Sequence, residues 1–119
     1  TGLVITFNEE ISFDSGDDQL RTDMKASLSE LAILLNRIDN KVVVEGYTDN
    51  VPINTERFSS NWQLSSSRAA NVVEFLQKFG SVSPTRLSSI GYADNNPAYT
   101  NDTIEGRAKN RRIEIKIMY

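Results

Sequence analysis

The sequence predicts a two-layer α/β sandwich, ordered β-α-β-α-β-(α)-β, with a small mixed sheet. Two segments of helical periodicity alternate with short β-branched runs, and the chain closes on an alternating apolar segment. At 119 residues the chain suits one domain, residues 1–119, with 39% hydrophobic content sufficient for a core without disulfides or metals.

Leu3, Ile5 and Phe7 alternate with Val4 and Thr6, the pattern of a strand, which Ile11 and Phe13 extend or return. Asp14 to Asp18 is turn-rich. From Asp23 the period changes. Met24, Leu28, Leu31, Leu35 and Ile38 form one apolar helical stripe, closed by Asp39-Asn40. Val42, Val43 and Val44 mark a buried strand. A polar loop from Thr48 to Ser60 follows.

Ser60 with Gln63 fits a capping box for a second helix, whose stripe is Ala69, Val72, Leu76 and Phe79, with Gly80 ending it. Leu87 to Tyr92 reads as the third strand. Asp102 or Thr103 caps a short helix through Asn110, and Ile113, Ile115 and Ile117 bury one face of the last strand.

Composition excludes several chemistries. There is no histidine and no cysteine, so no imidazole or thiol is available for catalysis or metal binding. The net charge of −3 lacks the basic surplus of a nucleic-acid binder, so no nucleic-acid partner is expected. Asp14, Asp17 and Asp18 miss the EF-hand spacing. No cofactor or metal is implied, and no apolar stretch reaches bilayer length.

Three local features carry chemistry. Gly46-Tyr47-Thr48-Asp49-Asn50 lies at the C-terminal end of a buried strand, where α/β folds place ligands. Asn61, Ser65 and Arg68 share one side of the second helix by i, i+4, i+7 spacing. Gly106 to Arg112 leads a basic run into the last strand and brings a further cation to the rim. A carboxylate and a guanidinium at one cleft suit a zwitterion, Asp49 taking an ammonium and Arg68 a carboxylate. The same residues admit purely structural uses. Asp49 can pair with Arg68 or close an Asx-turn, Asn61 can be a helix cap, and Trp62 a core-edge aromatic.

Asn61-x2-Leu64-Ser65-x2-Arg68-Ala69-x2-Val72-x3-Leu76 resembles the signature of OmpA-like peptidoglycan-binding domains. Phe13-Asp14-Ser15-Gly16, Gly46 to Asn50, Arg86-Leu87-Ser88 with Gly91-Tyr92, and Glu105 to Arg112 resemble further family segments, so the resemblance spans nearly the whole chain. The long loop from Asp49 to Asn61 and the form Asn61-Trp62-x-Leu64-Ser65 resemble the flagellar-stator branch, although Tyr47 stands where many members of that branch carry histidine.

The resemblance implies a non-catalytic, extracytoplasmic anchor that binds peptidoglycan through Asp49 and Arg68, with Asn61, Thr48 and Arg112 as further contacts. It also implies a homodimer, tethered by an N-terminal helix beside a channel-forming stator subunit. Two alternatives share the wall as target. One is an outer-membrane protein or lipoprotein of the same family. The other is a cell-wall hydrolase pairing Asp49 with Glu45 or Glu56, whose two carboxylates would need separated pKa values.

Overall fold

The computed structural model describes residues 2–119. Its elements run β1 (Gly2–Asn8), α1 (Glu9–Ser12), α2 (Thr22–Leu35), β2 (Val42–Tyr47), α3 (Asn61–Lys78), β3 (Leu87–Gly91), α4 (Ile104–Asn110) and β4 (Arg112–Met118). A 3₁₀ turn over Pro84–Arg86 feeds β3. The sheet order is β1-β4-β2-β3, with β1–β4 and β4–β2 antiparallel and β2–β3 parallel. This is the mixed α/β architecture expected, with α3 as the crossover between the parallel pair.

The core follows the two periodicities. Met24, Leu28, Leu31 and Leu35 of α2 and Ala69, Val72 and Leu76 of α3 pack on Val42, Val44, Ile113 and Ile115. Each fully buried aliphatic side chain of this kind contributes about 1.5–3 kcal/mol of transfer free energy. The alternate residues of the central strands, Glu45, Tyr47, Arg112, Glu114 and Lys116, therefore belong to the opposite face of the sheet.

Several expectations require correction. Ile11 and Phe13 do not continue the first strand. Glu9–Ser12 makes one helical turn, and Phe13 forms only an isolated bridge with Leu20. The apolar stripes also overrun their helices. Ile38 is 37% exposed beyond the end of α2, and Phe79 at the C-cap of α3 is 74% exposed. The last strand instead follows its alternation, with Ile113, Ile115 and Ile117 buried. Ser60 caps α3 by accepting from the Gln63 N–H at 3.3 Å, but the Gln63 side chain reaches back to the Ser59 N–H, one residue earlier than a standard box. Thr103 is the cap of α4 and accepts from the Gly106 N–H.

One close approach fixes the functional end of the sheet. A Cβ on Gly46 would lie 2.2 Å from the Ser65 carbonyl oxygen. Only glycine lets the first turns of α3 sit this near the end of β2. The residues after β2 and those on α3 therefore reach the same corner.

Candidate functional site

Beyond Tyr47 the chain leaves the sheet under tight control. Thr48 N–H donates to the Ala93 carbonyl at 2.8 Å, and the Thr48 hydroxyl donates to the Asp49 carbonyl at 2.8 Å. Asp49 Oδ1 accepts from the Val51 N–H at 3.0 Å, an Asx-turn that orients the carboxylate. Asn61, at the start of α3, donates to the Val51 carbonyl at 3.0 Å and so pins the long loop to the helix.

The other Asp49 oxygen meets Arg111. Arg111 Nη1 lies 2.7 Å from Asp49 Oδ2, and Arg111 Nε lies 2.9 Å from Glu9 Oε1. Glu9 Oε2 in turn lies 2.9 Å from Arg68 Nη2. The result is an alternating chain of charges, Asp49–Arg111–Glu9–Arg68. Arg68 is held further, with Nε donating to the Asp17 carbonyl at 2.6 Å and its guanidinium 4.7 Å from the Phe13 ring centroid.

These four side chains line a pocket of about 430 Å³ at the strand ends, together with Thr48, Asn61 and Arg107. That volume lies within the range of about 300–1,000 Å³ usual for small-molecule clefts. The two guanidiniums differ in access. The Arg68 side chain is 4% exposed and that of Arg111 is 31% exposed. Burial pushes the Arg68 pKa below the ordinary guanidinium value, against the opposing pull of Glu9. Burial also works against the Arg111 charge, but its hydrogen bonds to Asp49 and Glu9 outweigh it and raise its pKa.

The structure thus brings Asp49, Arg68, Asn61 and Thr48 to one pocket and leaves Arg112 out. Arg112 bonds Glu114 and the Asn96 and Asn110 carbonyls, with its guanidinium 3.9 Å from the Tyr47 ring centroid on the far face of the sheet. Asp49 does not pair with Arg68. Nor is Arg68 an open fork, since it is buried and two of its nitrogens are engaged. Ser65 is buried too. Its hydroxyl donates to the Trp62 carbonyl and accepts from the Ala93 N–H at 3.0 Å, pinning the segment after β3 to the helix. Trp62 is no core-edge residue, being 55% exposed.

The basic run does bring cations to the rim, as Arg107 and Arg111. Glu9 had no sequence signal, because its partners lie far along the chain. Glu45 does not face Asp49, for it bonds Tyr47 and Lys116 on the other face. Glu56 is absent from the pocket lining. The acidic loop serves arginines, Asp14 pairing with Arg21, and Asp17 and Asp18 with Arg57.

The OmpA family model matches residues 12–111. Motility protein B of Bacillus subtilis is 36% identical over 118 residues, covering 98% of this chain and 45% of that protein. The chain spans about half the length of the curated relatives it matches. Among solved structures, the cell wall anchor of the T6SS from Pseudomonas aeruginosa superposes with a TM-score of 0.90 at 36% identity, covering 97% of this chain and 80% of that one. The periplasmic domain of Helicobacter pylori MotB gives 0.88 at 30% identity, covering 97% and 74%. No helix among the described residues is long and apolar enough to cross a membrane. Matched from the end of α1 to the basic run before β4, the chain belongs to the OmpA family.

Proposed function

We propose that this domain binds cell-wall peptidoglycan without cleaving it and anchors an ion-driven flagellar stator to the wall. The observation that carries the reading is the Asp49–Arg111 pair at the mouth of the strand-end pocket. A stem peptide whose diamino acid is also a dicarboxylic acid bears an ammonium and a carboxylate on one carbon at its free end. The ammonium takes Asp49, and the carboxylate takes Arg111, the more accessible cation. Each half of the internal ion pair is exchanged for an equivalent partner, so little uncompensated charge is left behind. Arg68 acts from beneath, holding Glu9 and through it Arg111. Thr48 and Asn61 fix the Asp49 loop.

The likeness to motility protein B and to the periplasmic domain of MotB supports an extracytoplasmic domain. In this reading it works as a dimer, tethered by a preceding helix beside a channel-forming partner. The likeness to the T6SS cell wall anchor supports a second reading, in which the same wall contact steadies a different machine. The residues that precede Thr1 in the full-length protein distinguish the two: a single transmembrane helix bearing a pore aspartate marks a stator.

The test is co-sedimentation of the 119-residue chain with insoluble peptidoglycan. Retention in the pellet, lost in Asp49→Ala, supports the anchor. Wild-type protein that stays wholly in the supernatant overturns it, and steady release of soluble wall fragments overturns the non-catalytic reading.

A further inference from the structure

We infer that Arg57 is a positioning residue for the ligand: its guanidinium, forked between Asp17 and Asp18, latches the loop from Asp49 to Asn61 in place as the apolar wall of the pocket. The inference rests on the reading of the Asp49 pocket given above, and gives a part in it to a residue that does not line the pocket.

The wall needs a fastening. Val51, Pro52 and Ile53 of the loop line the pocket, as do Ser15 and Gly16 of the acidic loop. A Cβ on Gly16 would lie 3.6 Å from Ile53 Cδ1, so the two loops meet at the pocket edge. The long loop is pinned at its start by Asp49 and Asn61. At its end the buried Phe58 and the Ser59 N–H, which donates to Gln63 Oε1, hold it. Between these points, among the described residues, the hydrogen bonds of residues 52–58 close on the loop itself, in the turn from Thr55 to Phe58, except for those of Arg57. A loop with so few external bonds opens more readily than the elements it joins.

Arg57 meets a receptor that is already set. Asp17 Oδ1, 2.9 Å from Arg57 Nη1, also accepts from the N–H groups of Asp18 and Gln19. Asp18 gives one oxygen to Arg57 Nη2 and the other to the Ser67 hydroxyl of α3 at 2.6 Å. The same helix holds the backbone beneath them. Arg68 Nε donates to the Asp17 carbonyl, and Asn71 Nδ2 donates to the Asp18 carbonyl. Both carboxylates are thus fixed by backbone or helix, and Arg57 is the adjustable partner. A planar fork spanning two neighbouring carboxylates is a use that the single ammonium of lysine does not reproduce.

The latch matters more to the pocket than to the fold. The Arg57 and Asp17 side chains are 55% and 34% exposed, and ion pairs in water add little to global stability. A pair of that kind still decides where a loop rests when the loop has few other bonds. Without it the ligand meets a wall that is in place for part of the time. Apparent affinity falls with the closed fraction, so a wall closed about a tenth of the time binds roughly tenfold more weakly.

The test titrates the 119-residue chain by calorimetry with a soluble stem peptide ending in a dicarboxylic diamino acid, and follows amide exchange without ligand. Arg57→Ala is expected to bind roughly tenfold more weakly, with faster exchange at Val51, Thr55 and Phe58. Arg57→Lys should recover part of the loss. Asp17→Asn keeps an oxygen for the Asp18 and Gln19 N–H groups and removes only the charge, so it should share the loss. Asp17→Asn with Arg57→Ala should bind within about twofold of Arg57→Ala alone, since both remove one contact. Circular dichroism verifies that each variant is folded at the titration temperature, where lower global stability by itself does not move the binding constant.

Wild-type exchange at Val51, Thr55 and Phe58 in Arg57→Ala overturns the latch. So does a wild-type binding constant in that variant, or a double variant in which the two losses simply add. Wild type that does not bind the peptide overturns the Asp49 reading instead, and the exchange rates, which need no ligand, then decide the latch.

Discussion

Arg111 and Asp49 are joined at 2.7 Å, although 62 positions separate them in the chain. The carboxylate that the sequence offers to a ligand is thus already matched by a guanidinium of the same protein. That guanidinium also holds Glu9, whose other oxygen holds Arg68. Under the proposed function, binding at this pocket is an exchange of partners, not the filling of an uncompensated charge.

Two arginines of the same pocket should therefore fail differently. Arg68→Ala removes a buried cation and leaves Glu9 Oε2 and the Asp14 and Asp17 carbonyls without it. Breaking a buried pair in this way costs about 3–5 kcal/mol. Arg111→Ala acts at a more exposed position, and its effect should fall on ligand retention. Urea denaturation with wall co-sedimentation separates the two. Arg68→Ala should lower the unfolding midpoint strongly, whereas Arg111→Ala, at a side chain 31% exposed, should lower it less and lose retention. If Arg68→Ala unfolds like wild type, its role as a structural support of the pocket is wrong.

Gly46→Ala tests what brings the helix to the strand end. The new Cβ would lie 2.2 Å from the Ser65 carbonyl oxygen, which belongs to the helix backbone and cannot rotate away. Either α3 or β2 must shift. The expected cost is about 1–3 kcal/mol, together with loss of wall retention because Asp49 moves with the strand. An alanine variant that keeps native stability and binding would show that this approach is dispensable.

The repeating parts of the fold were legible in the sequence. The stripe of α2 and the alternation of β4 are one-dimensional signals that the backbone geometry converts directly into buried faces. They failed where the helix stopped, since Ile38 and Phe79 continue the pattern past the last helical residue. The motif on α3 pointed to Arg68 and Asn61, and the run before β4 pointed to a rim cation but to Arg112, whereas Arg107 and Arg111 line the pocket. The choice of partners was not legible. Glu9 meets Arg111 across 102 positions, a contact that depends on β1 lying beside β4 and leaves no local spacing to read. Arg112 carried a usable signal in its parity. It precedes Ile113 in β4, so it shares the outer face with Glu114 and Lys116, away from the pocket.

Asn110 should be as critical as any core residue, although it is polar. It is fully buried. Its Oδ1 accepts from the Ala98 and Tyr99 N–H groups, and its Nδ2 donates to the Tyr99 carbonyl and Asn101 Oδ1. Asn110→Ala leaves these groups short of partners at an expected cost of roughly 2–4 kcal/mol. The loop it clamps also accepts from Arg107 at the Asn101 carbonyl, so one wall of the pocket loosens as well. Hydrogen exchange should show faster amides at Ala98 and Tyr99. A variant within about 0.5 kcal/mol of wild type, the range of ordinary surface changes, would contradict the clamp.

Alkaline pH should unfold the protein from the outer face of the sheet. Burial raises the Tyr47 pKa above the ordinary phenol value of 10.0, and the hydrogen bond to Glu45 raises it further. The hydrogen bond to Glu45 also raises the Lys116 pKa above its ordinary 10.5. In both cases the folded state keeps a proton that the unfolded state releases. Their contribution to stability is therefore complete below pH 10.0 and declines as pH rises beyond it. Tyrosinate absorbance followed alongside circular dichroism tests this. Tyr47 should ionise only together with loss of the native signal, and Tyr47→Phe should remove one tyrosinate from that late step. Ionisation of Tyr47 in a chain that stays folded would show that its hydroxyl is neither buried nor held by Glu45.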